Sequence, residues 1–356
     1  MTQAARALRT FTLPSFTLES GAVLRDAQQA YYLDGTINAE GDNLIVVLHA
    51  LTGSADATEG WWRGLIGPGK PLDTGRYAVL APNLLGSCYG STGPSTYSDG
   101  AFPAITTRDQ ARFVARLIEH LGVKEVALTC GGSLGGMVAL ELGLCFAGRT
   151  LSTAVLAAPA AHTAQAIAWN AVQRACLDLG GERGLEVARQ IAMISFRSER
   201  EFEARFGRAT QDNGRFQMET YLEHHGRKLA ARFDAGTYRT LTLAMDAHDL
   251  GRGRGSLEQA LRSIPGALFA VGVPGDQLYS AEVVRDWAIR ANAEYRELSS
   301  YHGHDAFLLE IDQVGVILRE ALAAGRVYAS VPAEQPRVRV GRLFTGTSDD
   351  RDETYD

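Results

Sequence analysis

The chain has 356 residues, is 46% hydrophobic and carries a formal net charge of −6. That length and apolar content suffice for one large core and a further small lobe, which excludes an intrinsically disordered or fibrous protein. The acidic balance supplies no basic field for nucleic acid or an anionic membrane, so the expected partner is a small molecule.

The N-terminal stretch MTQAARALRTFTLPSF lacks the continuous apolar run of a secretory signal. No segment approaches the ~18 uncharged apolar residues of a membrane span, and a cytoplasmic location is expected. Short β-branched runs bounded by Gly, Pro or Asn follow at 44–48, 77–80, 125–130, 153–156 and 267–273. Several are apolar on both faces, as parallel strands covered on either side must be. Helical patterns at 107–121 and 134–144 lie between them, and others follow at 281–293 and 314–324. This alternation predicts a doubly wound α/β sheet, mostly parallel and flanked by helices.

From 160 to 262 the rhythm becomes helical and charged, as in GLEVARQIAMISF and METYLEHHGRKLAARF. We read this as a helical lid inserted into a core formed by residues 11–159 and 263–330. In the remaining tail, 331–356, PRVRVGRLF alternates like a strand with no identifiable partner. The acidic end SDDRDETYD is too poor in apolar residues to pack and is expected to be mobile. Four cysteines, Cys88, Cys130, Cys145 and Cys176, form no CxxC pair and no grouping with histidine at ligand spacing. They are expected to be reduced and mostly buried, with neither a disulfide framework nor a metal.

The segment EVALTCGGSLGGMVALELGL contains Gly131-Gly132-Ser133-Leu134-Gly135, a G-x-S-x-G pattern between a strand and a helix. A serine hydroxyl is a weak nucleophile. Presentation on a strained turn with small neighbours, at a helix N-terminus, exposes it and favours developing negative charge. The Lys-Ser/Thr ending of a phosphate-binding loop is absent.

Such a serine needs an imidazole to take its proton and a carboxylate to orient that imidazole. The expected chain order is Ser, then Asp or Glu, then His, each after a late strand. ALFAVGV is followed by Pro274-Gly275-Asp276, and YRELSS by Tyr301-His302-Gly303-His304-Asp305. Of the eight histidines only His302 and His304 lie late enough, and His304, next to the closing helix, is the chosen base. Taken alone, Asp305 could simply cap that helix. Ser133, His304 and Asp276 are therefore the candidate catalytic residues. The oxyanion donors are expected to be the backbone N–H groups of Leu134 and of Leu51, in the loop after LIVVLHA. His49 then reads as a structural residue at a strand end rather than a base.

With these segments placed, the sequence resembles the homoserine O-acyltransferase family of α/β-hydrolase-fold enzymes. The resemblance runs over residues 40–310 and is carried by His49-Ala-Leu-Thr-Gly53, by GWWRGLIGPGKPLDTGRYAVLAPNLLGSCYGSTGPS and GGSLGGMVALE, and further on by ARQIAMISFRS, ARFGRAT, TYLEHHGRKLAARFDAGTY, AMDAHDLGRGRG and GHDAFLLE. It implies Ser133, Asp276 and His304 as the triad, Asp305 as a contact to the amino group of an acceptor, and Arg189 as an arginine of the substrate tunnel. A carboxylate and a guanidinium are the natural complements of an amino-acid zwitterion.

The implied activity is acetyl transfer from acetyl-CoA to the hydroxyl of L-homoserine through an acyl-serine, in methionine biosynthesis. It implies no tightly bound cofactor and a homodimer joined through the helical lobe. Other readings are a succinyl-CoA donor, serine or another alcohol as acceptor, a serine esterase or thioesterase, and an inactive binding module. Three departures from the family bear on donor and acceptor. Phe196 replaces a usual tyrosine, Leu142 a tryptophan, and the chain is shorter than usual between Gly180 and Gly184. The Gly251-Arg-Gly-Arg-Gly255 loop offers cations for CoA phosphates, or is a flexible solvated connection.

Overall fold

The computed structural model describes residues 6–146 and 148–330; the tail expectations for PRVRVGRLF and the acidic end lie outside them. The described chain begins with β1 (Arg9–Thr17) and β2 (Val23–Asp34), then runs through β3 (Leu44–Leu48), β4 (Ala78–Pro82), α1 (Thr107–His120), β5 (Val126–Gly132), α2 (Leu134–Cys145) and β6 (Ser152–Leu156). Between β6 and β7 (Ala267–Gly272) come α3 (Ala164–Phe196), α4 (Glu199–Arg205), α5 (Gln217–Ala230), α6 (Ala235–Asp246) and α7 (Leu257–Arg262). The chain then forms α8 (Ala281–Ala291), β8 (Glu294–Glu297), α9 (Ala306–Leu309) and α10 (Ile311–Ser330).

The eight strands form one sheet in the order β1-β2-β4-β3-β5-β6-β7-β8. β2 pairs antiparallel with both neighbours, and every other pairing is parallel. The apolar runs in the sequence explain the parallel part. All five residues of β3 are fully buried. Leu44, Val46 and Leu48 enter one core with Phe113 of α1, Val138 of α2 and Trp287 of α8, whereas Ile45 and Val47 enter a second core with Trp62 and with Val314 and Leu318 of α10. Each such side chain contributes roughly 1.5–3 kcal/mol by leaving water.

Helix boundaries follow local chemistry. Thr106 and Asp109 form a reciprocal capping box at the start of α1. α3 folds back on itself at Gly181, whose φ of 52° interrupts the helix. Its two arms pack so closely that a methyl group on Gly184 would strike the Cys176 carbonyl. All four cysteines are free, but only Cys130 is buried; Cys88, Cys145 and Cys176 are half-buried, which corrects the expectation for them. No helix among the described residues is long and apolar enough to cross a membrane.

Candidate active site

β5 ends in the turn that carries Ser133. Its backbone has φ 56° and ψ −126°, a conformation costing a non-glycine residue about 1–3 kcal/mol. Surrounding contacts hold it there: Ser133 N–H donates to Leu156 O (2.9 Å), and Ser133 O accepts from Met137 N–H (3.1 Å). The glycine at 135 is required because a methyl group there would overlap the Leu48 carbonyl. A serine preceding a helix normally caps it with its hydroxyl. Here Ser133 makes no such bond, so Oγ is not spent on the helix and the first N–H groups of α2, beginning with Leu134, have no intrahelical partner.

Asp276 and His304 meet after β7 and β8. His304 Nδ1–H donates to Asp276 Oδ2 at 2.7 Å, while Asp276 Oδ1 accepts from the N–H groups of Leu278 (2.8 Å) and Tyr279 (2.9 Å). Both side chains are almost completely buried. Burial alone disfavours an imidazolium, but the charge and hydrogen bond of Asp276, helped by Asp305, outweigh it and leave the His304 pKa raised above the ordinary imidazole value. Phe307 links this pair to the serine turn. Its ring lies 5.7 Å from that of His304 and so near Gly132 that a methyl group there would overlap it. Tyr279 and Phe196 pack at 5.3 and 5.6 Å from the same imidazole.

The structure therefore brings Asp276 and His304 into contact, and Phe307 packs against both the His304 ring and Gly132, the residue before Ser133. His304 Nε2 is buried and has no hydrogen-bond partner among the described residues. Bonds of this type are often unmade before substrate binds. His302, the other late histidine, faces Glu201 instead (Nδ1 to Oε2, 3.2 Å).

His49 is held in one neutral tautomer. Nδ1–H donates to Ala50 O (2.8 Å), Nε2 accepts from Leu84 N–H (3.0 Å), and burial lowers its pKa to about 4. It is a buried link between the loops after β3 and β4, as its strand-end position suggested. The Leu51 N–H beside it has no hydrogen-bond acceptor among the described residues.

Arg189 and Asp305 lie on the lobe side of this centre. Arg189 is half-buried as a residue, but its guanidinium lies in the interior, 5.2 Å over the Phe196 ring, with no ion-pair partner among the described residues. Burial lowers its pKa, and Asp305 partly restores it. Phe196 thus fills the space between the arginine and His304. Asp305 does not cap α9 with its side chain. It pairs with Arg197 at 3.0 Å, and Arg197 in turn pairs with buried Glu201 at 3.1 Å. Arg197 and Glu201 were missed in the sequence because their contacts to Asp305 and His302 exist only once α4 packs on the His304 loop. Ser198 Oγ donates to Tyr301 O there, and Gly303 (φ 73°) passes so near that a methyl group would lie 2.7 Å from Ser198 N.

The Gly251–Gly255 loop is neither a flexible connection nor a free cation cluster. Arg252 pairs with Glu19 (3.0 Å), and Arg254 with Glu141 (2.6 Å), which is 1% exposed and also binds Arg108. Leaving the buried Glu141 carboxylate without its partners would be costly, so Arg254 is a structural anchor, whereas the more exposed Arg252–Glu19 pair contributes little beyond fixing the loop.

The sheet order, the serine turn and the late Asp–His pair define an α/β-hydrolase-fold enzyme, and a family model for the alpha/beta hydrolase fold matches residues 43–176. The homoserine O-acetyltransferase of Thermobifida fusca (strain YX) is 43% identical over 86% of this chain and 91% of its own length. The crystal structure of homoserine O-acetyltransferase from Staphylococcus aureus is 30% identical, with a TM-score of 0.78 over 93% of this chain and 97% of that one. An acetylester hydrolase from Corynebacterium glutamicum shares the fold (TM-score 0.79, 89% and 96% covered) at only 20% identity. The chain belongs to the homoserine O-acetyltransferase family.

Proposed function

We propose that the enzyme transfers an acetyl group from acetyl-CoA to the hydroxyl of L-homoserine in two steps, in the cytoplasm, as part of methionine biosynthesis. The observation that supports this reading is a guanidinium, Arg189, with no ion-pair partner among the described residues, and a carboxylate, Asp305, next to the buried His304–Asp276 pair. A simple hydrolase needs the triad but has no use for a zwitterion-binding pair.

In the first step Ser133 Oγ gives its proton to His304 Nε2 and attacks the thioester carbonyl. The N–H groups of Leu51 and Leu134 stabilise the oxyanion, and its collapse expels the CoA thiolate, which takes the proton from His304. The homoserine hydroxyl then gives its proton to His304 and attacks the acetyl-serine. Collapse of this second oxyanion releases O-acetylhomoserine and returns the proton to Ser133. Arg189 holds the acceptor carboxylate, and Asp305 holds its ammonium in competition with Arg197. The lobe over residues 160–262 keeps water from the acyl-serine, so transfer outruns hydrolysis.

Thiol release from acetyl-CoA and succinyl-CoA, each with homoserine, serine or no acceptor, tests the reading. It predicts release that depends on acetyl-CoA and homoserine together. Release that ignores the acceptor makes the enzyme a hydrolase. Replacing Arg189 by methionine should raise KM for homoserine about 10- to 100-fold, the loss of a charged hydrogen bond, without changing the rate of acylation by acetyl-CoA. An unchanged homoserine KM in that variant removes Arg189 from the acceptor site.

The expected homodimer through the lobe is supported by the exposed apolar side chains of Val172, Leu179, Val187 and Ile194 on α3. Sedimentation should show a dimer, and an aspartate at Leu179, the most exposed of them, should weaken it. A monomer at all concentrations would refute the proposal.

A further inference from the structure

The loop that presents Leu51 is held almost entirely through its carbonyl oxygens. Ala50 O accepts from His49 Nδ1–H (2.8 Å) and from Gly53 N–H (2.9 Å), and Ser54 O accepts from Trp61 Nε1–H (3.1 Å). Thr52 O accepts from a guanidinium of the helical lobe, Arg232 Nη1 at 3.0 Å. Peptide units are planar and trans, so fixing a carbonyl fixes the N–H on its far side in the opposite direction. The Thr52–Gly53 unit is gripped at both ends, by Arg232 on its oxygen and by Ala50 O on its N–H. The Ala50–Leu51 unit is gripped at its oxygen, which sets the direction of the Leu51 N–H.

Arg232 follows the end of α5 and is itself braced. Its Nη1 lies 2.5 Å from the hydroxyl oxygen of Tyr89, and that hydroxyl donates to Arg232 O at 3.0 Å. Tyr89 belongs to the loop after β4, which His49 ties to the loop after β3 through Leu84 N–H. One lobe residue thus closes a circuit through both loops. Arg232 is exposed and has no carboxylate partner among the described residues, so the bond to Thr52 O is not a by-product of an ion pair.

The geometry points to Arg232 as a positioning residue that couples the seating of the helical lobe to the aim of the Leu51 oxyanion donor. This rests on the reading of Ser133 as nucleophile and Leu51 N–H as oxyanion donor. A lobe lifted from the core removes one of the two grips on the Thr52–Gly53 unit and leaves its N–H bond to Ala50 O alone to hold the loop, so the oxyanion site is fully braced only when the lobe that excludes water is in place.

The test compares Arg232→Met, Arg232→Lys and Tyr89→Phe in acetyl-CoA-to-homoserine transfer and in p-nitrophenolate release from p-nitrophenyl acetate, an ester with neither CoA nor amino-acid contacts. Loss of an oxyanion donor costs about 100- to 1,000-fold in kcat, and a misaimed donor should cost on the order of 10- to 100-fold. Arg232→Met should therefore lower kcat for transfer and ester cleavage by the same factor, with both substrate KM values within about twofold. Arg232→Lys should recover part of the loss, and Tyr89→Phe should show the same pattern more weakly. A raised KM for acetyl-CoA with ester cleavage intact would make Arg232 a ligand for CoA phosphates and overturn the inference. Unchanged kcat in Arg232→Met would overturn it too. If Arg232→Met does not fold, Tyr89→Phe decides on the same two readouts. Ser133→Ala, run alongside, must abolish both reactions. If it does not, the nucleophile reading fails rather than the role of Arg232.

Discussion

Replacing Ser133 by alanine should reduce acetyl transfer on the order of 10⁴-fold or more while leaving the protein folded. The residues of a triad act as a unit, so losing the nucleophile removes nearly all of their joint effect. The fold should tolerate the change because Ser133 Oγ does not cap α2 and the bonds that secure the turn come from its backbone. Alanine would also inherit the same positive φ, so the strain is unchanged. Thiol release measured beside a thermal melt separates the two quantities. A melting temperature near that of the parent with no turnover is the expected pair of results, and full turnover would remove Ser133 from the mechanism.

Asp276→Asn should lower kcat about 10⁴-fold, because an amide facing Nδ1 can hold the imidazole in the wrong tautomer. It should also move the acidic limb of the pH profile. Burial disfavours the His304 imidazolium, and Asp276 is the main reason its pKa is nonetheless raised. In the parent enzyme kcat/KM should therefore rise with pH through a value above that of an ordinary imidazole. Without the carboxylate, burial dominates and the limb moves to lower pH. A raised folded pKa also means that protonated His304 stabilises the fold. That contribution is complete below the unfolded pKa and is lost as pH rises through the folded one. A limb that stays in place in Asp276→Asn would show that another group governs it.

The parallel sheet was legible because its strands are buried on both faces. LIVVL can be little else between two turn signals, and β3 occupies the five residues expected. The N-terminal hairpin was not read. β1 is the sheet edge and buries only Phe11 and Phe16, while β2 buries Leu24 and Ala27 and then Gln29, Ala30 and Tyr31 in succession, so neither strand shows a clean alternation. Their ladder also skips Pro14 and Asp26, the latter at φ 44°, which breaks the period-two pattern.

The same distinction applies to the site. Ser133, Asp276 and His304 each follow a strand in a fixed order, and local turn chemistry marks them. The choice of His304 over His302 rested on position, and the structure pairs the one with Asp276 and the other with Glu201. Arg197 and Glu201 look like an ordinary i,i+4 pair, and what the sequence does not mark is that they, like Arg232, also reach core loops, at Asp305, His302 and Thr52. The Gly251–Gly255 loop shows the converse. Its two arginines look available in the sequence, but Glu19 and Glu141, more than a hundred residues earlier, occupy them.

The covalent step can be observed directly. Enzyme mixed with acetyl-CoA and no acceptor, quenched in acid and digested, should yield a peptide containing Ser133 with one added acetyl group, and adding homoserine before the quench should discharge it. Steady turnover with no acetyl on that peptide, or with the label on a different side chain, would contradict the account.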